Sequence, residues 1–215
     1  MSKLLIINAH PIVDSTSSVS LNVLDYFMRA YKEQHSNIEI IEQINLYSEV
    51  VPMIDETVLT AWGKLRNGLE LTNYEQEVTE RMNEILKQFK SANKYVIAYP
   101  LHNFNISSKL KAYMDNILIA RETFKYTDTG SVGLLKDGRS IVVIQGSGAI
   151  YTNNDWYTEV EYSHKYLKSM FNFLGIEDYE IIRVQGTDLL GADRNKILQK
   201  GYEEAEKVAS ELAKK

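Results

Sequence analysis

Short runs without a charged residue are the feature that most constrains the fold of this chain. Residues 4–7, 95–99 and 140–144 are such runs, built mainly of aliphatic, β-branched and aromatic residues. Strands of this composition are buried on both faces, as in the centre of a parallel sheet that carries helices on each side. The sequence therefore predicts a parallel sheet whose central strands lie close to these positions.

Amphipathic helical patterns alternate with these runs. Apolar residues recur at helical spacing in the segments 21–34, 72–91, 108–118, 154–174 and 192–212. Residues 38–44 and 179–184 have the composition of two further strands, and the glutamates in the first of them favour a position at the sheet edge. We therefore expect an α/β fold, with a single domain over residues 1–215 that contains a doubly wound five-stranded parallel sheet of flavodoxin-like order 2-1-3-4-5.

Two segments fit this alternation poorly. Residues 45–71 contain one short helical pattern, around Trp62, and a segment of this kind is often a cover over a substrate site or a dimer contact. Residues 124–127 predict a short extended piece, followed by turns at Gly130 and Gly138. We expect this second insertion to lie beside the ligand-binding loops, provided that the helix before it runs antiparallel to the strands.

Composition and charge exclude several classes of function. The net charge of −5, from 24 basic and 29 acidic side chains, argues against a nucleic-acid surface. Because the chain has no cysteine, a disulfide framework, a thiolate nucleophile and a cysteine-ligated metal are all excluded. The four histidines lack metal-binding spacing, and His35 and His164 are expected at the surface. No run approaches the length of a membrane span or a signal sequence, so we expect a cytoplasmic protein without a metal.

The first candidate binding loop follows the first strand. His10 comes directly after that strand, and five hydroxyl residues lie between Ser15 and Ser20, before the first helix. A helix N-terminus attracts anions through its unpaired N–H groups and its dipole, and hydroxyls add further donors. The segment is therefore suited to a phosphate, although hydroxyl residues also collect at helix starts simply as caps.

The second candidate loop follows the third strand. His102 and Asn103 supply polar groups and Phe104 supplies a flat apolar ring. Since ligands lie outside the carboxyl ends of the strands in open parallel sheets, this loop occupies a favoured position. It fits the polar edge of a flat heteroaromatic ligand, or it is an ordinary connection in which Phe104 fills the core and His102 is solvated.

The third candidate loop, Gln145-Gly146-Ser147-Gly148, follows the fourth strand. Its two glycines allow backbone N–H groups to approach a ligand without side chains in the way, or they form a simple glycine turn. In the predicted strand order the three loops converge beside the switch point between the first and third strands. Together they describe a site for a phosphate joined to a flat polar heterocycle, and flavin mononucleotide (FMN) fits that description.

These loops also contain motifs that resemble those of the FMN-dependent NADH-azoreductases, which are also NADH:quinone oxidoreductases. Residues 100–107, PLHNFNIS, are similar to the family's PMYNFNIS, and residues 110–115 and 123–127 carry further family patterns. Residues 18–20 stand where the family has S-x-S for the FMN phosphate, and residues 145–148 take the place of a Ser-Arg-Gly-Gly-like loop near the flavin's pyrimidine end. The resemblance covers nearly the whole chain.

The resemblance implies an FMN cofactor and a homodimer with the active site at the subunit interface. The implied FMN-binding residues are His10, Ser18, Val19, Ser20, Pro100, Leu101, His102, Asn103, Phe104, Gln145, Gly146, Ser147 and Gly148. Two departures stand out: His10 lies where relatives often have Ser or Arg, and Leu101-His102 replaces Met-Tyr in the wall next to the flavin. Tyr126 and Phe173 are candidate walls for the second substrate, from the same or from different subunits, with core packing as the alternative.

The implied reaction is a ping-pong cycle. NADH passes a hydride to FMN and NAD⁺ leaves, after which a quinone or an azo compound takes the same place and receives the electrons. No catalytic side chain is required, and N–H groups of the second and third loops are expected to stabilise the negative charge that develops on the flavin. Two other classes are an electron-carrier flavodoxin, against which the chain length and the insertions argue, and a hydrolase of a phosphopantetheine carrier, for which no nucleophile–base pair is visible.

Overall fold

Strands and helices alternate along the computed structural model, which describes residues 3–34 and 40–215. The elements in chain order are β1 (Lys3–Asn8), α1 (Val19–Gln34), β2 (Ile40–Asn45), α2 (Glu56–Arg66), α3 (Asn73–Ser91), β3 (Lys94–Pro100), α4 (Ser108–Ile117), β4 (Phe124–Thr127), β5 (Gly130–Gly133), β6 (Ser140–Ser147), α5 (Trp156–Glu159), α6 (Tyr162–Leu174), β7 (Asp178–Gln185) and α7 (Arg194–Ala213). His35 and the first two residues of the predicted strand 38–44 lie outside the described residues.

The main sheet has five parallel strands in the order β2-β1-β3-β6-β7. Strands β4 and β5 form a separate antiparallel pair, so the order of the main sheet is 2-1-3-4-5 when its own strands are counted. The predicted doubly wound, flavodoxin-like fold is therefore confirmed. Strand β2 lies at an edge, as its glutamates indicated.

Each central strand packs against helices on both sides of the sheet. Because alternate residues of a strand point to opposite faces, Leu5 and Tyr95 lie in a core shared with α3, α4 and α6. Leu4 and Val96 lie in a second core, shared with α1 and α7. Every residue of β6 is buried, which explains why the central strands show no alternation of apolar and polar residues in the sequence.

The start of α3 forms the predicted capping box. Thr72 Oγ1 accepts a hydrogen bond from the Glu75 N–H, and the Glu75 carboxylate accepts one from the Thr72 N–H. Lys64, on α2, pairs with the same carboxylate at 2.7 Å. These contacts join α2 to α3 within the segment that showed little pattern in the sequence.

The predicted helix over residues 154–174 is two helices. The chain leaves helical geometry at Val160 and Glu161, between α5 and α6, and α6 then ends at Gly175, which adopts a left-handed φ of 97°. The apolar spacing continues through the break, which is why the sequence pattern did not reveal it. The break directs the Glu161 side chain into the protein interior, where it is 5% exposed.

The β4–β5 hairpin lies at the amino ends of the sheet strands. Helix α4 starts beyond the carboxyl end of β3 and returns the chain to the opposite end, where Glu122 pairs with Lys90 at 2.6 Å near the end of α3. The Leu135 N–H, just after the hairpin, donates to the carbonyl of Leu174 at the end of α6. The expectation that this insertion lies beside the ligand-binding loops is therefore wrong, because an antiparallel α4 carries it away from them.

Candidate FMN site at the carboxyl edge of the sheet

Three segments that the sequence singled out meet at Gly146. Pro100 pairs with Gly146 in the sheet, and the Leu101 N–H donates to the Gly146 carbonyl at 2.8 Å. A Cβ atom at position 146 would lie 3.0 Å from Cγ2 of Val19 and 3.4 Å from the backbone nitrogen of Ser20. The ends of β3 and β6 and the start of α1 are thus in direct contact, and a side chain at position 146 would require Val19 and Ser20 to shift.

The start of α1 supplies hydrogen-bond donors. The Ser18 hydroxyl accepts a hydrogen bond from the Leu21 N–H at 3.3 Å and lies 3.1 Å from the Ser20 hydroxyl. The helix begins at Val19, so the predicted loop is shorter than expected and Ser20 belongs to the first turn. The N–H groups of Val19 and Ser20 have no acceptor within their own helix and, with the helix dipole, favour an anion such as phosphate.

A cation that sequence reasoning missed lies against the same segment. Arg194, the first residue of α7, donates a hydrogen bond from Nη2 to the Ser17 carbonyl. Its guanidinium thereby adds positive charge near the hydroxyl-rich segment. No local pattern indicates this contact, because Arg194 and Ser17 are 177 residues apart in sequence.

His10 lies directly after β1 with its ring turned back on its own loop. Nδ1 is 3.0 Å from the Ile12 nitrogen and 2.7 Å from the Ile12 oxygen, and the His10 N–H donates to Oδ1 of Asn8. Asn8 also donates to the carbonyl of Val13. These contacts shape the first loop and leave Nε2 as the nitrogen of His10 that can reach another group.

The second loop is a tight turn with two left-handed residues. His102 and Asn105 exchange both backbone hydrogen bonds, at 2.9 and 2.8 Å, and the residues between them, Asn103 and Phe104, have φ values of 45° and 67°. Asn tolerates this region, whereas a residue such as Phe adopts it at a cost of about 1–2 kcal/mol. An outlier of this kind, held in place by its surroundings, is typical of a binding site.

This turn leaves two backbone donors unused. The N–H groups of Leu101, His102, Asn105 and Ile106 all have acceptors. Among the residues that the structure describes, the N–H groups of Asn103 and Phe104 form no hydrogen bond. They are the two donors that this loop can offer to the polar edge of a ligand.

An aromatic cluster borders the turn. The Phe104 ring contacts Trp156 edge to face, with centroids 5.3 Å apart, and Tyr157 lies 6.4 Å from Phe104. Trp156 is 56% exposed. The sequence did not single out Trp156 or Tyr157 because they lie in the short helix α5, which was interpreted as the start of a longer one.

The third loop differs from the prediction. Gln145, Gly146 and Ser147 belong to β6 and are buried, so that only Gly148 of the predicted loop lies beyond the strand. A Cβ at Gly148 would lie 2.3 Å from Oδ2 of Asp188. Both glycines thus lie close to other parts of the chain, Gly146 against the start of α1 and Gly148 against the Asp188 carboxylate. That their backbone also approaches a ligand stays a prediction.

The Gln145 side chain points into a buried polar network below the site. Its Oε1 accepts hydrogen bonds from the hydroxyls of Tyr99 at 2.6 Å and Ser163 at 2.8 Å, while its Nε2 donates to Glu161 at 2.9 Å. Glu161 is paired in turn with Arg183. Burial raises the pKa of Tyr99 well above its usual value, so its hydroxyl stays protonated as a donor. The Gln145 side chain is thus engaged below the site through its oxygen and one of its two N–H groups.

Tyr126 and Phe173 are not brought to this edge of the chain. Both rings contact Phe124, at centroid distances of 5.4 and 4.8 Å, at the amino end of the sheet. Tyr126 is 74% exposed and lines a cavity of about 420 Å³ together with Trp62 and residues around α4 and β4. Within one chain they cannot line the site described above.

The donor set suits a phosphate joined to a flat heterocycle. The edge offers serine hydroxyls, helix N-terminal and turn N–H groups, and aromatic rings. Within the described residues no group of three or more His, Asp or Glu side chains could hold a metal ion. None of the described helices is both long and apolar enough to cross a membrane.

Comparisons with known proteins agree with this geometry. A family model described as flavodoxin-like fold matches residues 2–209. FMN-dependent NADH:quinone oxidoreductase 1 of Bacillus anthracis is 71% identical over 215 residues, which are 100% of this chain and 97% of that protein. The FMN-dependent NADH:quinone oxidoreductase of Staphylococcus haemolyticus is 46% identical over 186 residues, covering 86% of this chain and 88% of that protein.

Solved structures give the same assignment. The crystal structure of an FMN-dependent NADH-azoreductase from Bacillus anthracis str. Ames Ancestor in complex with FMN superposes with a TM-score of 0.97 at 71% sequence identity, over 99% of this chain and 100% of that one. An azoreductase from Bacillus anthracis str. Sterne superposes with a TM-score of 0.89 at 31% identity, over 98% of this chain and 100% of that one. The chain therefore belongs to the family of flavodoxin-like FMN-dependent NADH:quinone oxidoreductases and NADH-azoreductases.

Proposed function

We propose that this chain is a single-domain FMN-dependent enzyme that takes a hydride from NADH and reduces quinones and azo compounds by a ping-pong mechanism. The observation that carries the proposal is the meeting of the α1 start and the left-handed turn at Gly146, with donors that the protein itself leaves unused. The names of the similar proteins point to the same cofactor and the same electron donor and acceptor.

The start of α1 would hold the FMN phosphate. Ser18 and Ser20 offer hydroxyls, and Val19 and Ser20 offer N–H groups at the positive end of a 16-residue helix. Arg194 adds positive charge from α7, and Nε2 of His10 is a further candidate contact.

The turn would hold the flavin ring. The N–H groups of Asn103 and Phe104 are fixed donors, which stabilise negative charge without reorganising at the moment of reaction. Pro100, Leu101 and His102 form the adjoining wall. In the third predicted loop, Gly146 allows the start of α1 to lie against the ends of β3 and β6. Gln145 and Ser147 would support the site from within β6, and Gly148 follows directly after the strand.

When bound, FMN supplies the two-electron chemistry, accepting a hydride from NADH and passing two electrons on to the acceptor. The aromatic cluster of Phe104, Trp156 and Tyr157 provides one apolar space for flat molecules beside the turn. NADH and the acceptor would occupy that space in turn, because both must reach the same cofactor, and alternation of this kind gives ping-pong kinetics.

We further propose a homodimer in which Tyr126 and Phe173 of one subunit complete the site of the other. Their position at the far end of their own sheet supports a role across an interface. Val50 and Met53, each 70% exposed, are apolar side chains that a second subunit could cover. Sedimentation equilibrium should give twice the chain mass of 24.7 kDa, and a monomeric mass would contradict the dimer.

The first experiment is the visible absorption spectrum of the purified protein, before and after anaerobic addition of NADH. Two flavin bands that bleach with NADH, and that return on addition of a quinone, support the proposal. Flavin bands that NADH leaves unchanged favour an electron carrier. A colourless protein that cannot be reconstituted with FMN overturns the flavin assignment.

A cytoplasmic location fits the cysteine-free composition.

A further inference from the structure

We propose that Glu161 is a positioning residue that holds the left-handed turn of the FMN site in place through helix α6. The proposal rests on the proposed function for its meaning, although its structural part can be tested without the cofactor. Among the predicted FMN-binding residues, Glu161 contacts the side chain of Gln145. It acts through Gln145, Arg183 and Ser163, which link three strands and a helix to the turn.

The Glu161 carboxylate is anchored on two strands. Oε1 accepts hydrogen bonds from Nε2 of Gln145 on β6 at 2.9 Å and from Nε of Arg183 on β7 at 2.8 Å, and Oε2 accepts one from Nη2 of Arg183 at 2.9 Å. A bidentate pair of this kind has a fixed geometry. The start of α6 is therefore tied to the carboxyl ends of β6 and β7.

Glu161 stands at the N-cap position of α6 but does not cap the helix. Its side chain forms no hydrogen bond to the first-turn N–H groups, since it is directed to Gln145 and Arg183 instead. The helix therefore keeps N–H donors for other acceptors. One of them, the Ser163 N–H, donates to the Phe104 carbonyl at 3.1 Å.

Ser163 connects the network to the turn. Its hydroxyl donates to Oε1 of Gln145 at 2.8 Å while its N–H holds the carbonyl of Phe104, and the residue is fully buried. Tyr99 on β3 donates to the same Gln145 oxygen. The peptide after Phe104 is thus fixed relative to three strands of the sheet.

The hydrogen bond from Ser163 restrains Phe104, whose backbone conformation is unfavourable for its residue type. Phe104 has a φ of 67°, a region that few residues other than Gly, Asn and Asp adopt. Without the Ser163 contact, Phe104 would relax toward an ordinary φ, and its N–H group and that of Asn103 would turn away from the ligand. Through this network, the buried Glu161 carboxylate keeps the N–H groups of Asn103 and Phe104 oriented toward the ligand.

The test compares Glu161→Ala with Glu75→Ala in the full-length protein. Glu75 is also a largely buried glutamate paired with a basic side chain near a helix start, but it contacts no residue of the site. Hydrogen exchange is measured without FMN at the amides of Asn105 and Ser163, which report the turn and its tie to α6. The FMN dissociation constant is measured by fluorescence quenching.

We expect faster exchange at both amides in Glu161→Ala and an FMN dissociation constant raised about tenfold, equivalent to about 1.4 kcal/mol. Glu161→Gln, which keeps the shape and an acceptor, should restore part of both effects. Glu75→Ala should lose a similar amount of thermal stability while both amides and the dissociation constant stay as in the wild type.

Unchanged exchange at Asn105 and Ser163 in a folded Glu161→Ala protein overturns the proposal. If that variant does not fold, Glu161→Gln takes its place, because it removes one of the two carboxylate oxygens that accept from Arg183, and unchanged exchange at both amides then has the same meaning. A wild-type protein that does not bind FMN contradicts the proposed function, whereas the exchange measurements still decide whether Glu161 positions the turn.

Discussion

Each end of the sheet contains a hydrogen-bond network around a largely buried arginine, Arg139 at one end and Arg183 at the other. The two ends differ in whether backbone N–H groups beside the network lack an acceptor within the chain as the structure describes it. At the amino end, Arg139 donates to the carbonyls of Lys90 and Ala92 and to the hydroxyl of Tyr95, and it pairs with Asp137. Burial raises the pKa of Tyr95 to about 12, so this hydroxyl remains a donor to backbone carbonyls. The polar groups of this network therefore find their partners within the chain.

At the carboxyl end, the side chains of the network are paired, but the turn beside it has N–H groups without an acceptor among the described residues. Arg183 and Glu161 complete a buried network, yet the turn above it keeps two N–H groups without acceptors in the described part of the chain. Asn103 is exposed and Phe104 is half-buried, so these two N–H groups, held in a fixed direction by the turn, are accessible to a ligand. The comparison shows that a polar network by itself does not identify a binding site. It does so where neighbouring hydrogen-bond donors remain available to a ligand.

The largest effect should come from filling the space at Gly146. Gly146→Val places atoms against Val19 and Ser20, which must move α1 away from the end of β3. We expect FMN affinity to fall about a hundredfold, or about 2.8 kcal/mol, in an equilibrium titration.

Its counterpart at the amino end is Gly133→Ala. The new Cβ would lie 2.3 Å from the Leu174 carbonyl carbon, so the hairpin must shift and the midpoint of thermal unfolding should fall. The FMN dissociation constant should stay within about twofold of the wild type. Equal losses of FMN affinity in the two glycine variants would remove the distinction between the ends.

The next largest effect concerns Arg139. Arg139→Met strips hydrogen bonds from two backbone carbonyls and from Tyr95, and leaves Asp137 without its partner. We expect a loss of about 2 kcal/mol in the free energy of unfolding, measured with urea, because the carbonyl groups that Arg139 serves lose a donor while Asp137 is largely solvated. FMN affinity, measured well below the unfolding transition, should be unchanged, and a tenfold loss would show that the two ends are coupled.

A smaller effect separates two helix caps. Ser18→Ala removes the hydroxyl that caps α1, and Thr72→Ala removes the one that caps α3. Each should cost about 1 kcal/mol of stability, since both remove an N-cap side chain. Only Ser18→Ala should also weaken FMN binding, by about fivefold to tenfold, as expected for loss of one hydrogen bond. Equal FMN affinities in the two variants would argue against the phosphate position at α1.

The smallest effect is a pH dependence away from the site. The hydrogen bonds from Lys64 and from the Thr72 N–H hold the pKa of Glu75 below its usual value of 4.5. The stability that this carboxylate contributes is complete above that value and is lost as the pH falls through the lower pKa of the folded state. Thermal unfolding of Glu75→Gln should therefore differ from the wild type at pH 7 and converge with it once the pH lies below the lowered pKa of the folded state. A difference that persists there would assign the effect to shape rather than charge.

The fold could be predicted from the sequence because its signals are local. The uncharged strands, the capping box at Thr72 and the hydroxyl residues before α1 each depend on neighbours in the chain. The direction of the Gln145 side chain could not be predicted, since its partners Glu161 and Ser163 lie 16 and 18 residues away. The motif around Asn103 indicated a site, but the left-handed φ of Phe104 is set by the Ser163 contact, which no local pattern reveals.

The position of the aromatic residues shows a second limit. Tyr126 and Phe173 were interpreted as walls for the second substrate, and the structure places both against Phe124 at the amino end of the sheet. Which end of the sheet they occupy depends on the direction of α4, a property of the whole fold. Trp156 was missed because the break before α6 does not interrupt the apolar spacing of the sequence.

The contact at Gly146 has a consequence for how enzymes on this scaffold can diversify. A helix and two strands lie so close there that an added Cβ would meet Val19 at 3.0 Å, and a larger side chain must be accommodated by a shift of α1. His102 and Trp156 are exposed and take no part in this packing. Under the proposed function, we therefore expect acceptor preference to be adjustable at these two side chains without a change in the packing at Gly146.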